Sequence, residues 1–130
     1  MRKTLLFIIL FLTVLLCAYS QSPNHFNYQA IIRDGSGELI TDSDIGVRIS
    51  ILDVSSSGTV LFQETHSTTT SSYGMISIKV GSGNFVSGNI ESIDWSSDKK
   101  FLKIEIDESG GNSYTEMGAV QLLSVPYALY

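Results

Sequence analysis

The chain has 130 residues with 8 basic and 13 acidic side chains, a net charge of −5, two histidines and one cysteine. That length suits a single ordinary domain. One cysteine excludes a disulfide-stapled scaffold and a cysteine-based zinc site, the acidic balance argues against a binder of phosphate backbones, and the low charge with many β-branched residues argues against disorder.

The first twenty residues read as an address. Met1-Arg2-Lys3-Thr4 is a short positive start, Leu5 to Leu16 is apolar except for Thr13, and Cys17-Ala18-Tyr19-Ser20 places small residues at alternate positions. This is the layout of a secretory signal peptide, and the expected cut follows Ser20, leaving Gln21 as the new N-terminus. Leu5 to Tyr19 would reach about 22 Å as a helix, short of the ~30 Å apolar core of a bilayer. A lipid anchor through Cys17 is the alternative, but Leu16 stands where Gly, Ala or Ser normally precedes a lipidated cysteine. Loss of Arg2 and Lys3 takes the net charge from −5 to −7, and the only cysteine leaves with them. The domain division is therefore 1–20, signal peptide, and 21–130, one domain that folds on packing alone. No membrane span is expected in the mature chain.

Residues 21–130 read as strands. Phe26, Tyr28 and Ala30 alternate with polar residues and run into Ile31-Ile32. Ile45 to Ile51, Ile76 to Val80 and Leu102 to Ile106 carry apolar residues at every second position, so each buries one face. Thr-rich Val60 to Thr70 is a fifth candidate and Tyr114 to Leu123 a sixth, followed by a short extended tail containing Pro126. Asp34-Gly35-Ser36-Gly37, Ser55 to Gly58, Ser71 to Gly74 and Gly110-Gly111-Asn112 separate these runs, and their Gly, Ser, Asn and Asp residues favour turns. Asn89 to Ile93 forms at most one turn of helix. Six or seven short strands with such turns define an all-β fold, a single immunoglobulin-like or transthyretin-like antiparallel β-sandwich. Phe62, Phe85, Trp95 and Phe101 are read as its core.

The search for chemistry yields little. Gly35-Ser36-Gly37 and Gly81-Ser82-Gly83 lack the longer nucleophile-elbow pattern and read as turns. Glu64 and His66, two apart on a strand, share a face and are read as a pair on its wet side; His25 is read as exposed. Two separated histidines and no mature cysteine exclude structural zinc. Asp34, Glu38, Asp42 and Asp44, and separately Asp107 and Glu108, crowd turns without calcium-loop spacing, so calcium binding there stays open while solvated turns are the expected reading. Lys99, Lys100 and Lys103 read as a solubilising face. No carboxylate pair, phosphate loop or dinucleotide fingerprint marks a catalytic centre. The expectation is no enzyme, no cofactor and no nucleic-acid partner.

Several stretches taken together carry a family resemblance. They are Phe26-Asn27-Tyr28-Gln29-Ala30-Ile31-Ile32-Arg33-Asp34; Glu64-Thr65-His66 leading to Tyr73-Gly74-Met75-Ile76 and Gly81-Ser82-Gly83; Ile93-Asp94-Trp95; Phe101 to Asp107; and Met117-Gly118 with Gln121 to Tyr130. The chain resembles an N-terminal β-sandwich module of secreted and cell-surface proteins of Bacteroidota. The likeness covers nearly all of residues 21–130. It implies a module that follows a signal peptide and precedes tail-fibre-like, collagen-like, coiled-coil or C-terminal sorting regions, with no catalytic residues to carry over. Chains of that family usually continue past the segment matching Tyr127 to Tyr130, so the resemblance implies either a minimal stand-alone member or a detached N-terminal cap. A weaker likeness to transthyretin-like and carboxypeptidase-regulatory-like sandwiches lies in Thr68 to Val80, where Ser71-Ser72 replace the usual acidic residue of the turn.

The expected function is a secreted, non-catalytic structural or adhesion module of the bacterial cell surface. It would present or cap a larger fibre or surface protein, with a protein or surface glycan as partner and a homo-oligomer as a further possibility. The alternative is a carbohydrate-binding sandwich using Tyr28, Tyr73, Tyr114 or Trp95. Most of Val120 to Tyr130 is apolar, which on a bare surface would be a sticky patch. Leu122, Leu123, Val125, Tyr127, Leu129 and Tyr130 are therefore the candidate edge or partner-docking segment, pairing as an edge strand before Pro126. Deletion of Val120 to Tyr130 is expected to destabilise the domain.

Overall fold

The structure, a computed structural model, describes residues 1–16 and 25–123. Helix α1, Arg2–Leu16, leaves Leu5 to Phe11 exposed. No helix among the described residues is long and apolar enough to cross a membrane. The strands are β1 Phe26–Ile31, β2 Asp44–Asp53, β3 Val60–Thr69, β4 Met75–Val80, β5 Asn84–Gly88, β6 Lys100–Asp107 and β7 Thr115–Leu122, with a 3-10 turn at Ile90–Ser92. They form two antiparallel sheets, β1-β4 and β5-β3-β2-β6-β7, and the fold is the expected all-β sandwich. Six strands fall on the six expected runs. β5, Asn-Phe-Val-Ser-Gly, is not among them, and its pairing with β3 defines it.

Directly opposed residues of antiparallel strands present their side chains on the same face. Val47, Ile49 and Ile51 of β2 stand opposite Ile106, Ile104 and Leu102 of β6, and all six are buried. Ile76, Ile78 and Val80 of β4 close over them, with Phe26, Tyr28 and Ala30 of β1 packed alongside. Each fully buried aliphatic side chain contributes roughly 1.5–3 kcal/mol, so this inner layer is the main source of stability. Ile90 and Ile93 seal one end of it.

Two strands cannot roof five. One inner-face row runs Phe85, Glu64, Ile49, Ile104, Gly118 across the large sheet, and the next runs Gly88, Phe62, Ile51, Leu102, Val120. The middle of each row is buried, while Phe85 at one margin is 69% exposed and Val120 at the other 53% exposed. Phe85 is thus not a core residue, and the reason is the missing roof above β5. Trp95, 47% exposed, is not core either. Asp94 Oδ1 accepts from Ser96 N–H and Ser96 Oγ–H, and this turn directs Trp95 outward after Ile90 and Ile93 have taken the inward places. Phe62 is core as expected, and Phe101 is half-buried on the outer face opposite Leu52.

The turns follow the expected chemistry. Asp34 Oδ1 accepts from the Ser36 and Glu38 amides, and Ser71 Oγ accepts from those of Tyr73 and Met75. Of the three non-glycine residues with positive φ, Asp42, Val54 and Asp98, only Val54, at 70°, is β-branched, and a left-handed conformation is disfavoured for such a side chain. Its side chain is exposed, so burial does not offset the strain. Val54→Asn is expected to raise stability by roughly 1 kcal/mol, visible as a higher Tm in a thermal melt.

Candidate functional site

The pair Glu64 and His66 is the most concentrated polar chemistry in the sandwich. The two side chains meet, with His66 Nε2 2.7 Å from Glu64 Oε1, but on the inner face and not on the wet face anticipated. Glu64 is 1% exposed and sits between Phe85 and Ile49 in an otherwise apolar row. A buried carboxylate must be paired and hydrogen-bonded. Here Oε1 also accepts from Gly81 N–H at 2.8 Å and Oε2 from Gly83 N–H at 2.9 Å. Gly81-Ser82-Gly83 is the point at which the chain leaves β4 of the small sheet for β5 of the large one. A side chain at Gly83 would collide with the His66 ring and the Thr65 carbonyl. The arrangement clamps the two sheets together. Both carboxylate oxygens are engaged and buried, so the group lacks the access that proton transfer to a substrate requires. The sequence signal was present in Gly81-x-Gly83, but nothing local linked it to an acid on another strand.

On the outer face Arg48 of β2 lies opposite Glu105 of β6 and donates two parallel hydrogen bonds, Nε to Oε2 and a terminal nitrogen to Oε1, both 2.7 Å. The guanidinium also stacks over Tyr114, 4.7 Å from the ring centre. The Arg48 hydrogen bonds hold the Glu105 carboxyl below its ordinary value. Asp107 is lowered by hydrogen bonds from the Ser109 side chain and amide and from the Ser113 amide. A carboxyl lowered in the folded state stabilises above its unfolded pKa, and that stabilisation is lost as pH falls through the folded value. The Tm is therefore expected to hold down to about pH 5 and to fall below about pH 4. In an Arg48→Met variant the Tm deficit should be largest at neutral pH and shrink as pH falls through the folded value of Glu105, where the carboxyl takes up its proton and the ion pair is lost in the parent protein too. An equal deficit at neutral and acid pH would separate Arg48 from Glu105 ionisation.

The acidic turns are committed locally. Asp34 binds its own turn, Asp44 Oδ1 accepts from Thr69 Oγ at 2.5 Å, and Asp107 closes the Ser109–Ser113 loop. A groove of about 480 Å³ runs past Asp34, Asp107, Glu108 and Glu116. Among the described residues, no three or more His, Cys, Asp or Glu side chains are grouped to hold a metal ion. Lys100 corrects the expectation of a solubilising lysine face. It is 4% exposed, and its Nζ donates to Asp53 Oδ1 at 2.9 Å and to the Ser97 carbonyl at 2.5 Å. These contacts border a cavity of about 180 Å³ lined also by Leu61, Ile93 and Asp94. His25 is exposed.

The aromatic side chains considered for a glycan platform do not converge. Tyr73, 78% exposed, lies in the β3–β4 turn, beside the end of β2 where the Thr70 amide donates to the Ser43 carbonyl. Trp95 follows Asp94, which lines the cavity with Asp53 and Lys100 at the opposite end of β2. Ten strand residues separate those ends, about 30 Å at ~3.3 Å per residue. Tyr28 is half-buried against the core, where burial raises its pKa, and Tyr114 is covered by Arg48.

The open features are therefore edges and margins. Among the described residues, β5 and β7 each have one unpaired side, and so do β1 and β4. Of the candidate docking residues, Leu122 pairs opposite Lys100 and packs on the core, and Leu123 is 74% exposed. Val125, Tyr127, Leu129 and Tyr130 lie outside the described residues, as do Cys17, Ser20 and Gln21.

An all-β sandwich whose buried charges serve its own turns and sheets is the class that this geometry defines. Residues 27–119, from β1 into β7, match the family described as Domain of unknown function (DUF8740), and the chain belongs to that family. No curated protein and no solved structure matches it.

Proposed function

We propose that the chain is a secreted, non-catalytic structural or adhesion module of the bacterial cell surface, of the kind found in Bacteroidota, which presents or caps a larger surface assembly. The observation that carries this reading is the division of labour among its side chains. Glu64, Glu105, Asp107 and Lys100 are consumed by internal hydrogen bonds, while among the described residues strand edges and apolar sheet margins stay open. Strand edges recognise partners through main-chain hydrogen bonds and need no catalytic group. The N-terminal address supports export, with residues 1–20 removed. The exposure of Tyr73 and Trp95 favours a carbohydrate-binding alternative, but their separation supports single contacts more than a shared platform.

The test is expression of the full chain in a Bacteroidota host, with mass spectrometry of the N-terminus and protease shaving of intact cells. The expected result is a chain that begins at Gln21 and is removed by shaving. Retention of residues 1–20 on a protein protected inside the cell would overturn the reading. Saturable binding on a glycan array, abolished by Tyr73→Ala or Trp95→Ala, would favour the alternative.

A further inference from the structure

The outer face of the small sheet carries a patch that neither the core nor the buried charge pairs use. Ile31 of β1 stands directly opposite Met75 of β4, so their side chains share that face. The bridge between Arg33 and Leu39 prolongs β1, and alternation returns both residues to the side of Ile31. Leu39 lies over Gly74, where an added Cβ would stand 3.3 Å from Leu39 Cδ2. Tyr73 occupies the turn beside them. Ile31, Leu39, Tyr73 and Met75 are each 41–78% exposed, while Ile76, Ile78 and Val80 fill the buried side of the same sheet. Charge is divided in the same way. The other side chains of this face are Asn27, Gln29, Ser77, Arg33 and Lys79, two cations and no acid. Asp34 and Glu38 alternate with Arg33 and Leu39 and belong to the opposite side. There Asp34 lines the groove with Asp107 and Glu108. Arg33 spends one terminal nitrogen on the Gly37 carbonyl, and among the described residues neither Arg33 nor Lys79 is in a salt bridge. In a chain with 13 acidic and 8 basic side chains, a cationic face is the exception.

We propose that this face docks an acidic segment of another protein, which lays apolar side chains over Ile31 and Met75 and sets carboxylates against Arg33 and Lys79. The composition is that of a protein interface, where Tyr, Met and Arg are enriched and Asp and Glu depleted at the centre. The face is the flat side of two regular strands, so it offers contact area and no cleft for a small molecule. Charge complementarity selects the occupant. A partner with carboxylates beside apolar residues meets both features of the patch, and its charges steer it to the one cationic face of an acidic domain. A symmetric contact between two copies of this face would bring four cations together with no acid to meet them. Burial of the apolar centre supplies the affinity, and the two cations set the choice of partner. The inference is independent of the export and surface location proposed above.

Selection from a random peptide display library on the full chain tests it. A chain carrying Ile31→Ser and Met75→Ser, and another carrying Lys79→Glu, serve as parallel baits. All three positions are exposed, so both baits should keep the parent Tm. The expected result is a set of peptides in which Asp and Glu alternate with apolar residues. These should bind the double variant about tenfold more weakly than the parent, the loss typical of truncating central interface side chains. Added salt should weaken their binding to the parent more than to the Lys79→Glu chain, because screening acts on the charge that this variant has removed. No enriched peptide, enriched peptides without acids, or equal binding to all three baits would overturn the proposal. Self-association of the parent that is lost in the double variant would overturn it in favour of a second copy. Binding to phosphatidylglycerol vesicles without peptide enrichment would overturn it in favour of a membrane surface.

Discussion

Replacing Glu64 with alanine is expected to cost about 3–5 kcal/mol of folding stability, because two amide donors lose their acceptor at roughly 1–3 kcal/mol each and a buried side chain is removed. The alanine leaves the part-buried Gly81 and Gly83 amides without their acceptor and opens space beside Ile49. It also releases the turn at which the chain changes sheets, so β5 loses its anchor as well. For a domain of this size the Tm should drop by more than ten degrees. Glu64→Gln should fall between the two, since its amide offers one acceptor oxygen and turns its NH₂ toward a glycine amide. His66→Ala should cost less than Glu64→Ala, because the carboxylate keeps both glycine donors. Urea denaturation of the three variants checks this order. A loss below 1 kcal/mol for Glu64→Ala would mean that the clamp is not what ties the sheets.

Ile49→Ala is the second large effect, at about 2–5 kcal/mol. Ile49 is fully buried at the centre of the middle strand, flanked by Glu64 and Ile104. Its neighbours belong to paired strands that cannot collapse into the vacated volume, so the loss combines transfer and cavity terms. The contrasting variant is Ile31→Ala. Ile31 is half-exposed opposite Met75 on the outer face of the small sheet, and its loss should stay within about 0.5 kcal/mol. Denaturant midpoints with unchanged slopes would confirm that both variants act on the native state. Similar losses at the two positions would contradict the assignment of inner and outer faces.

The contrast between these isoleucines shows how much the strand pattern alone conveys. Alternation in Ile45 to Ile51, Ile76 to Val80 and Leu102 to Ile106 marks one face of each strand for burial, because side chains on a strand repeat every two residues. Turn clusters then bound the strands. From these two signals the all-β sandwich, six of seven strands and most of the buried aliphatic residues follow. The seventh strand escaped because β5 owes its extended form to its pairing with β3, and pairing partners are distant in the chain.

The candidate site was legible only in fragments. That Glu64 and His66 touch follows from their spacing of two. That they face inward does not, since Val60 to Thr70 is rich in Thr and its apolar residues do not mark the buried side. Lys100 and Glu105 look like ordinary surface charges until Asp53 and Arg48 meet them across a ladder. Phe85 and Trp95 look like core because they are large and apolar. Whether such a residue is buried depends on what lies above it, and a two-stranded sheet over a five-stranded one leaves the margins bare.

The sequence by itself therefore determined the class of fold, the acidic and cysteine-free character of residues 21–130, and which stretches alternate, because these depend on composition and local period. Only the tertiary structure decided which charges are buried partners and where the apolar margins open. Those outcomes depend on register and on the unequal size of the two sheets, which arise from contacts between residues far apart in the chain.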